Sequence, residues 1–173
     1  MKDEFSIVSM VRCSNVANDL LLPREQETVL LSEVPRISVV IYTSGRVIVY
    51  GGQDKDSWAT VMQAFHDATE LFLSSEFELK NAVMVGDLGR RVDLIKSSMC
   101  YVEVEYEPEQ FPGMILHLDE HLTALVFSSG KVVLTGIRGN ANRIQEYLDN
   151  FYDESHSLIY TTEYREDGEE AVA

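Results

Sequence analysis

Cysteine is scarce in this chain of 173 residues: Cys13 and Cys100 are the only two, too few for a disulfide framework. The opening Met1-Lys2-Asp3-Glu4 carries no apolar leader, so both thiols are expected to stay reduced where the chain is made. Long hydrophobic runs are missing too. The longest pieces resemble Val39–Tyr42 and Val47–Tyr50, far from the roughly 18 residues of a membrane-spanning helix. Basic residues are few, 14 against 29 acids, and the net charge of −15 excludes a general polyanion-binding surface and disfavours an anionic membrane as partner. Only four prolines, with 45% apolar and 25% charged residues, exclude the disordered and collagenous classes. What remains is a folded chain of one ordinary domain or two joined half-domains.

What the chain does have is an internal repeat. Val39–Gly52 (VVIYTSGRVIVYGG) matches Ala124–Ile137 (ALVFSSGKVVLTGI) at an offset of 85 residues. Both carry an aromatic residue, a turn with Ser-Gly and a base, and β-branched runs on either side. Each copy then enters a helix candidate, Asp54–Phe72 and Asn140–Tyr152. Trp58, Val61, Met62, Phe65 and Ala68 in the first, and Ile144, Tyr147, Leu148 and Phe151 in the second, fall at three- and four-residue spacing. Phe5–Val11 and Leu79–Val85 read as the opening strands. The expected order in each copy is strand, short helix, several strands, long helix, with the first copy about ten residues shorter between its opening strand and its hairpin. The expected organisation is a first repeat over 1–75, a second over 76–160 and an acidic tail over 161–173.

Both faces of the hairpin strands are apolar. Leu125, Phe127, Val133 and Thr135 share one face, Ala124, Val126, Val132 and Leu134 the other. The tight Ser128-Ser129-Gly130 connection makes the strands antiparallel, and one long and one short helix per copy can cover about one face. The fold class is therefore α+β, with an open apolar sheet face on which something docks.

These residues resemble the TATA-box-binding protein family. Tyr106-Glu107-Pro108-Glu109-Gln110-Phe111-Pro112-Gly113 is similar to the family's YEPE-x-FPG segment, and Phe127 through Gly136 to its hairpin. Asn81-Ala82-Val83 resembles its Asn-x-Val, and Gly86-Asp87-Leu88-Gly89-Arg90 its archaeal branch. The resemblance implies a tandem pseudo-twofold repeat: a curved antiparallel saddle, helices on the convex face, a concave face seated on the minor groove of promoter DNA. It also implies that Phe111 and Phe127 are the wedges of the second half, the family's known device for kinking a base step. Pro112 accompanies Phe111 in that motif. Asn81 would hydrogen-bond groove acceptors; Val83, Leu125, Val133 and Thr135 would make the underside contacts; Lys131 and Arg138 would meet phosphates. Glu107, Glu109 and Gln110 match the stirrup gripped by the B-type initiation factor, with RNA polymerase an indirect partner; a homodimer of the DNA-free chain is a form left open. The chain would lie in the cytoplasm with the nucleoid if archaeal, or in the nucleus if eukaryotic.

The first half departs from the family pattern. Val8, Tyr42 and Arg46 are its expected DNA-facing residues, but Tyr42 stands where the family has phenylalanine, Arg46 where it has lysine and Tyr50 where it has threonine. Leu22-Pro23-Arg24-Glu25-Gln26-Glu27 replaces the wedge segment, placing Glu25 or Gln26 at the aromatic position. Ser6 replaces the second asparagine, and Gln53 a lysine. A divergent paralogue acting as a protein-interaction or regulatory module is thus the alternative reading.

No enzyme, cofactor or metal site is expected. In His117-Leu118-Asp119-Glu120-His121 the acid lies beside the second histidine, unlike a zinc-protease helix, and Gly130-Lys131-Val132 lacks the hydroxyl of a phosphate loop. Alternating Glu103, Glu105, Glu107 and Glu109 read as a charged strand edge.

Overall fold

The computed structural model describes residues 5–17, 22, 25–31, 37–52 and 58–162. Their order is β1 (Ser6–Asn15), β2 (Glu27–Leu30), β3 (Ser38–Ile41), β4 (Arg46–Tyr50), α1 (Trp58–Thr69), β5 (Glu78–Asp87), α2 (Leu94–Ser98), β6 (Val104–Glu105), β7 (Met114–His117), β8 (Thr123–Val126) and β9 (Lys131–Gly139). A single 3-10 turn, Ala141–Arg143, leads into α3 (Ile144–Ser155). The chain forms two compact units, residues 7–82 with 138–141, and residues 1–6, 83–137 and 142–173. The division falls inside β5, between Ala82 and Val83.

In the first unit the strand order is β2-β3-β4-β1, all antiparallel. β-branched residues on a period of two place Val39, Ile41, Val47 and Val49 on one face, each 0–1% exposed. They pack with Val61, Ala64 and Phe65 of α1 and with Leu31, Ile37, Leu71 and Leu73, while Trp58 and Met62 border this core. Ala64 takes the inward place that spacing assigns to Ala68, which is exposed. The helix stops one residue later: Glu70 adopts φ 60° and its N–H closes on the His66 carbonyl at 2.8 Å, a left-handed cap. Arg12 lies on the covered side of β1, 1% exposed, its guanidinium 5.1 Å from the Trp58 ring centre and 5.8 Å from that of Phe77. The short helix expected in this copy, the Gln53 position and the 163–173 tail fall partly or wholly outside the described residues.

The second unit has the order β5-β9-β8-β7-β6. Its hairpin repeats the register of the first: Ser38 faces Tyr50 and Ile41 faces Val47, as Thr123 faces Thr135 and Val126 faces Val132. The turns match bond for bond. Tyr42 N–H to Arg46 O and Gly45 N–H to Tyr42 O are both 2.9 Å, and so are Phe127 to Lys131 and Gly130 to Phe127. The buried face carries Met114, Leu116, Ala124, Val126, Val132 and Leu134, and α3 buries Tyr147 and Phe151. At Gly136 (φ 89°) the alternation slips by one residue, so that Leu134 and Ile137 are both buried. The short helix α2 starts at Asp93, whose carboxylate accepts from the Lys96 backbone N–H at 3.0 Å. β6, within the run of alternating glutamates, pairs with β7 through Val104 and Leu116.

Candidate nucleic-acid interface

Each unit leaves one sheet face without helix cover, because each supplies one long helix to a sheet apolar on both sides. In the second unit that face carries Val83, Ile115, Leu125, Val133 and Thr135, all half-buried between neighbouring strands, with Lys131 exposed among them. Leu125 lies directly across from Val133 and Thr123 from Thr135, giving adjoining rows of branched side chains. Phe111 and Phe127 stand together at its margin with ring centres 5.8 Å apart, edge to face. Gly113 makes that pairing possible: a Cβ there would lie 2.8 Å from the Phe111 ring and 2.9 Å from that of Phe127. Phe127 is only 8% exposed, so the ring expected to enter a base step is packed away in the free protein. Pro112 is exposed beside it.

The loop from 106 to 111 is closed by its own backbone. The Glu107 carbonyl accepts from Gln110 N–H at 2.9 Å and from Phe111 N–H at 3.0 Å. This turn leaves Glu107, Glu109 and Gln110 exposed and sets Phe111 at its end.

In the first unit Val40 and Ile48 are half-buried on the uncovered face, with Tyr50 (41% exposed) and Leu30 (76%) beside them. Arg46 is exposed and Tyr42 half-buried at the hairpin turn. The Arg46 Nε–H points to Cys13 Sγ at 3.3 Å, a contact that raises the guanidinium pKa further. Val8 is 42% exposed, Asn81 half-buried and Arg138 exposed.

Two correspondences shift when the strands are laid side by side. β1 and β5 are both ten residues long, and each loses its alternation at the third and fourth positions. That makes Ser9, not Ser6, the counterpart of Asn81 in the repeat, and Val11, not Val8, the counterpart of Val83. Similarly, Glu27 faces Ile41 as Met114 faces Val126. Gln26 and Glu25 therefore correspond to Gly113 and Pro112, and neither holds the place of Phe111; Arg24, the residue before them, lies outside the described residues. Val11, Val40 and Ile48 complete the first unit's uncovered face and were not singled out from sequence. The signal for them was present, because each alternates with a buried neighbour.

His117 ends β7 with Nε2 2.7 Å from a Glu105 carboxylate oxygen, and the Asp119 carboxylate caps the following turn through the N–H groups of His121 and Leu122. Among the described residues no group of three or more histidine, cysteine or acidic side chains is placed to hold a metal ion.

Residues 76–154 match the family described as "Transcription factor TFIID (or TATA-binding protein, TBP)". The chain is 33% identical over 111 residues to the TATA-box-binding protein of Methanocaldococcus jannaschii, covering 61% of each. To that of Aeropyrum pernix it is 34% identical over 112 residues, 61% of this chain and 55% of the relative. It thus spans about three fifths of the length of these two curated relatives. To the TATA-box-binding protein of Pyrobaculum neutrophilum it is 30% identical over 149 residues, 80% of this chain and 74% of the relative. Among solved structures, Methanococcus jannaschii TBP matches with a TM-score of 0.67 and 24% identity over 87% of this chain and 97% of that one, which shows a shared fold. The relatives are transcription factors rather than enzymes. A shared fold over most of the chain and 30% identity across three quarters of a full relative make this chain a member of the TATA-box-binding protein family.

Proposed function

We propose that the chain is a transcription initiation factor that binds the minor groove of a TATA-type promoter element, mainly through its second unit, and recruits a B-type initiation factor through Glu107, Glu109 and Gln110. The observation that carries this reading is the uncovered face of Val83, Leu125, Val133 and Thr135, bordered by the Phe111–Phe127 pair. Minor-groove binding suits a chain of net charge −15 because apolar contact with sugars and base edges supplies much of the favourable term. Lys131 and Arg138 meet phosphates, and Asn81 meets groove acceptors. Polymerase is reached through the B-type factor, the chain works with the nucleoid in the cytoplasm of an archaeal cell, and DNA-free copies pair. The test is an anisotropy titration of a TATA duplex against a scrambled duplex at fixed salt, with and without the B-type factor. Preference for the TATA duplex that the factor strengthens supports the reading; equal binding to both sequences overturns it.

A second reading is favoured by the first unit, where Tyr42 takes the place of Phe127 in a turn that otherwise matches bond for bond. A phenol hydroxyl there weakens the grip on DNA, and the chain then acts as a regulatory module that engages the B-type factor. In that case the titration returns factor binding without sequence preference for DNA.

A further inference from the structure

Away from the uncovered sheet faces, exposed apolar side chains gather at one place in the second unit. Ile95 is 62% exposed, Met99 79% and Val102 fully exposed. α2 buries Leu94 and Ser97, which turns Ile95 and, one turn on, Met99 outward. Beside Val102 opens a cavity of about 380 Å³ whose wall includes Glu103, His117, Glu154 and Cys100. Its interior is fixed. Leu116 is 1% exposed, and the half-buried Tyr101 donates its hydroxyl to the Glu154 carbonyl at 2.6 Å, with burial pushing that hydroxyl's pKa well above its usual value.

Charge decides what fits. Among the described residues no lysine or arginine lines this cavity, and none forms an ion pair with the carboxylates of Glu103 and Glu154. The one imidazole in the wall, His117, is engaged by Glu105 at 2.7 Å. An acidic occupant would be repelled by these two exposed carboxylates, and a neutral one would offer them no counter-charge. A second copy of this chain, at net charge −15, would bring a field of the same sign to this wall. We propose that this surface docks a basic amphipathic segment of a protein partner. A lysine or arginine enters the cavity between Glu103 and Glu154, and the aliphatic side chains that flank it lie on Met99 and Val102. The surface is separate from the 107–110 loop and does not depend on DNA binding.

The probe is a fluorescein-labelled amphipathic leucine–lysine peptide, with a leucine–glutamate peptide of the same pattern as control, titrated against the full chain. The expected result is saturable binding of the first peptide and none of the second. E103K/E154K should weaken binding at least about tenfold, as loss of a desolvated charge pair does. D67K/E76K, the same charge change at exposed positions in the other unit, should leave it within about twofold, the scale of a remote surface charge. On the unmutated chain, bound peptide should slow alkylation of Cys100, which lines the cavity, and leave Cys13 unchanged. Equal weakening by both double variants, unaltered binding to E103K/E154K, or no protection of Cys100 would overturn the proposal.

Discussion

Gly45 and Gly130 occupy the same position in the two hairpin turns, at φ 87° and 95°, yet they are not interchangeable. A Cβ on Gly45 meets nothing within 4 Å, whereas one on Gly130 would lie 2.1 Å from the Arg90 carbonyl oxygen. Gly45→Ala should therefore cost only the left-handed backbone penalty, about 1–2 kcal/mol. Gly130→Ala adds a backbone collision and should reach the range of about 4 kcal/mol or more that marks severe changes; urea unfolding of the two variants checks the difference. Phe127 and Tyr42 form the second such pair. If the second unit carries the wedges, Phe127→Ala should weaken DNA binding by about 1–3 kcal/mol and Tyr42→Ala by clearly less, measured by anisotropy on variants whose circular dichroism is unchanged. Equal losses would remove the asymmetry. The identity of these residues was legible in the sequence, since aromatic, turn and base recur at one offset. The packing of Phe127 against Phe111 over Gly113 was not, because three residues of one motif meet through a strand pairing that spacing alone does not encode.

Among the elements, α2 shows how a five-residue helix is held. It is too short to persist alone, and the Asp93 cap and the burial of Leu94 and Ser97 keep it in place. The backbone N–H of Lys96 holds the Asp93 carboxyl below the usual carboxylate range. A group whose folded pKa is depressed stabilises above its unfolded value, near 3.9, and loses that contribution as pH falls through the folded value. Asp93→Asn should keep the cap and remove this part of the acid dependence, and an NMR titration of the wild-type carboxyl carbon checks the direction. The 107–111 turn is the other element with a distinct task. Replacing Glu107 and Glu109 by arginine should abolish binding of the B-type factor while leaving the fold intact, because both side chains are exposed and the turn is closed by backbone atoms. A pull-down that recovers the factor undiminished would exclude this loop as its contact. The hairpins were legible almost to the residue, since alternation and a Ser-Gly turn fix both register and ends. The helices were legible in their buried faces, whose apolar period opens at Trp58 and Ile144, from where α1 and α3 are described; their far ends were not, since α3 runs past Tyr152 to Ser155. β6 has only two residues, and it falls in the run of alternating glutamates that reads as a charged strand edge.

For the molecule as a whole, duplication was the most legible property, because two units with the same hairpin register must repeat the same pattern of branched residues. The sequence of the first half conceals how β2 aligns with β7, since Glu27 and Met114 share a register position but no chemistry. If the exchange of Phe127 for Tyr42 governs recognition, bending of a TATA duplex should concentrate at the step under the second unit, and the free chain should bind weakly until the B-type factor is added. Fluorescence energy transfer across each end of the duplex measures this, and equal bending at both ends would contradict it. The aromatic surroundings of α1 carry a last consequence. Trp58 is the sole tryptophan; its Nε1–H donates to the Ser74 carbonyl at 2.9 Å, and its ring lies against Phe77 and the Arg12 guanidinium. Intrinsic emission excited at the red edge is therefore an optical signal of the first unit alone, and comparing its melting curve with the far-ultraviolet signal of the entire chain reads out whether the two units melt together.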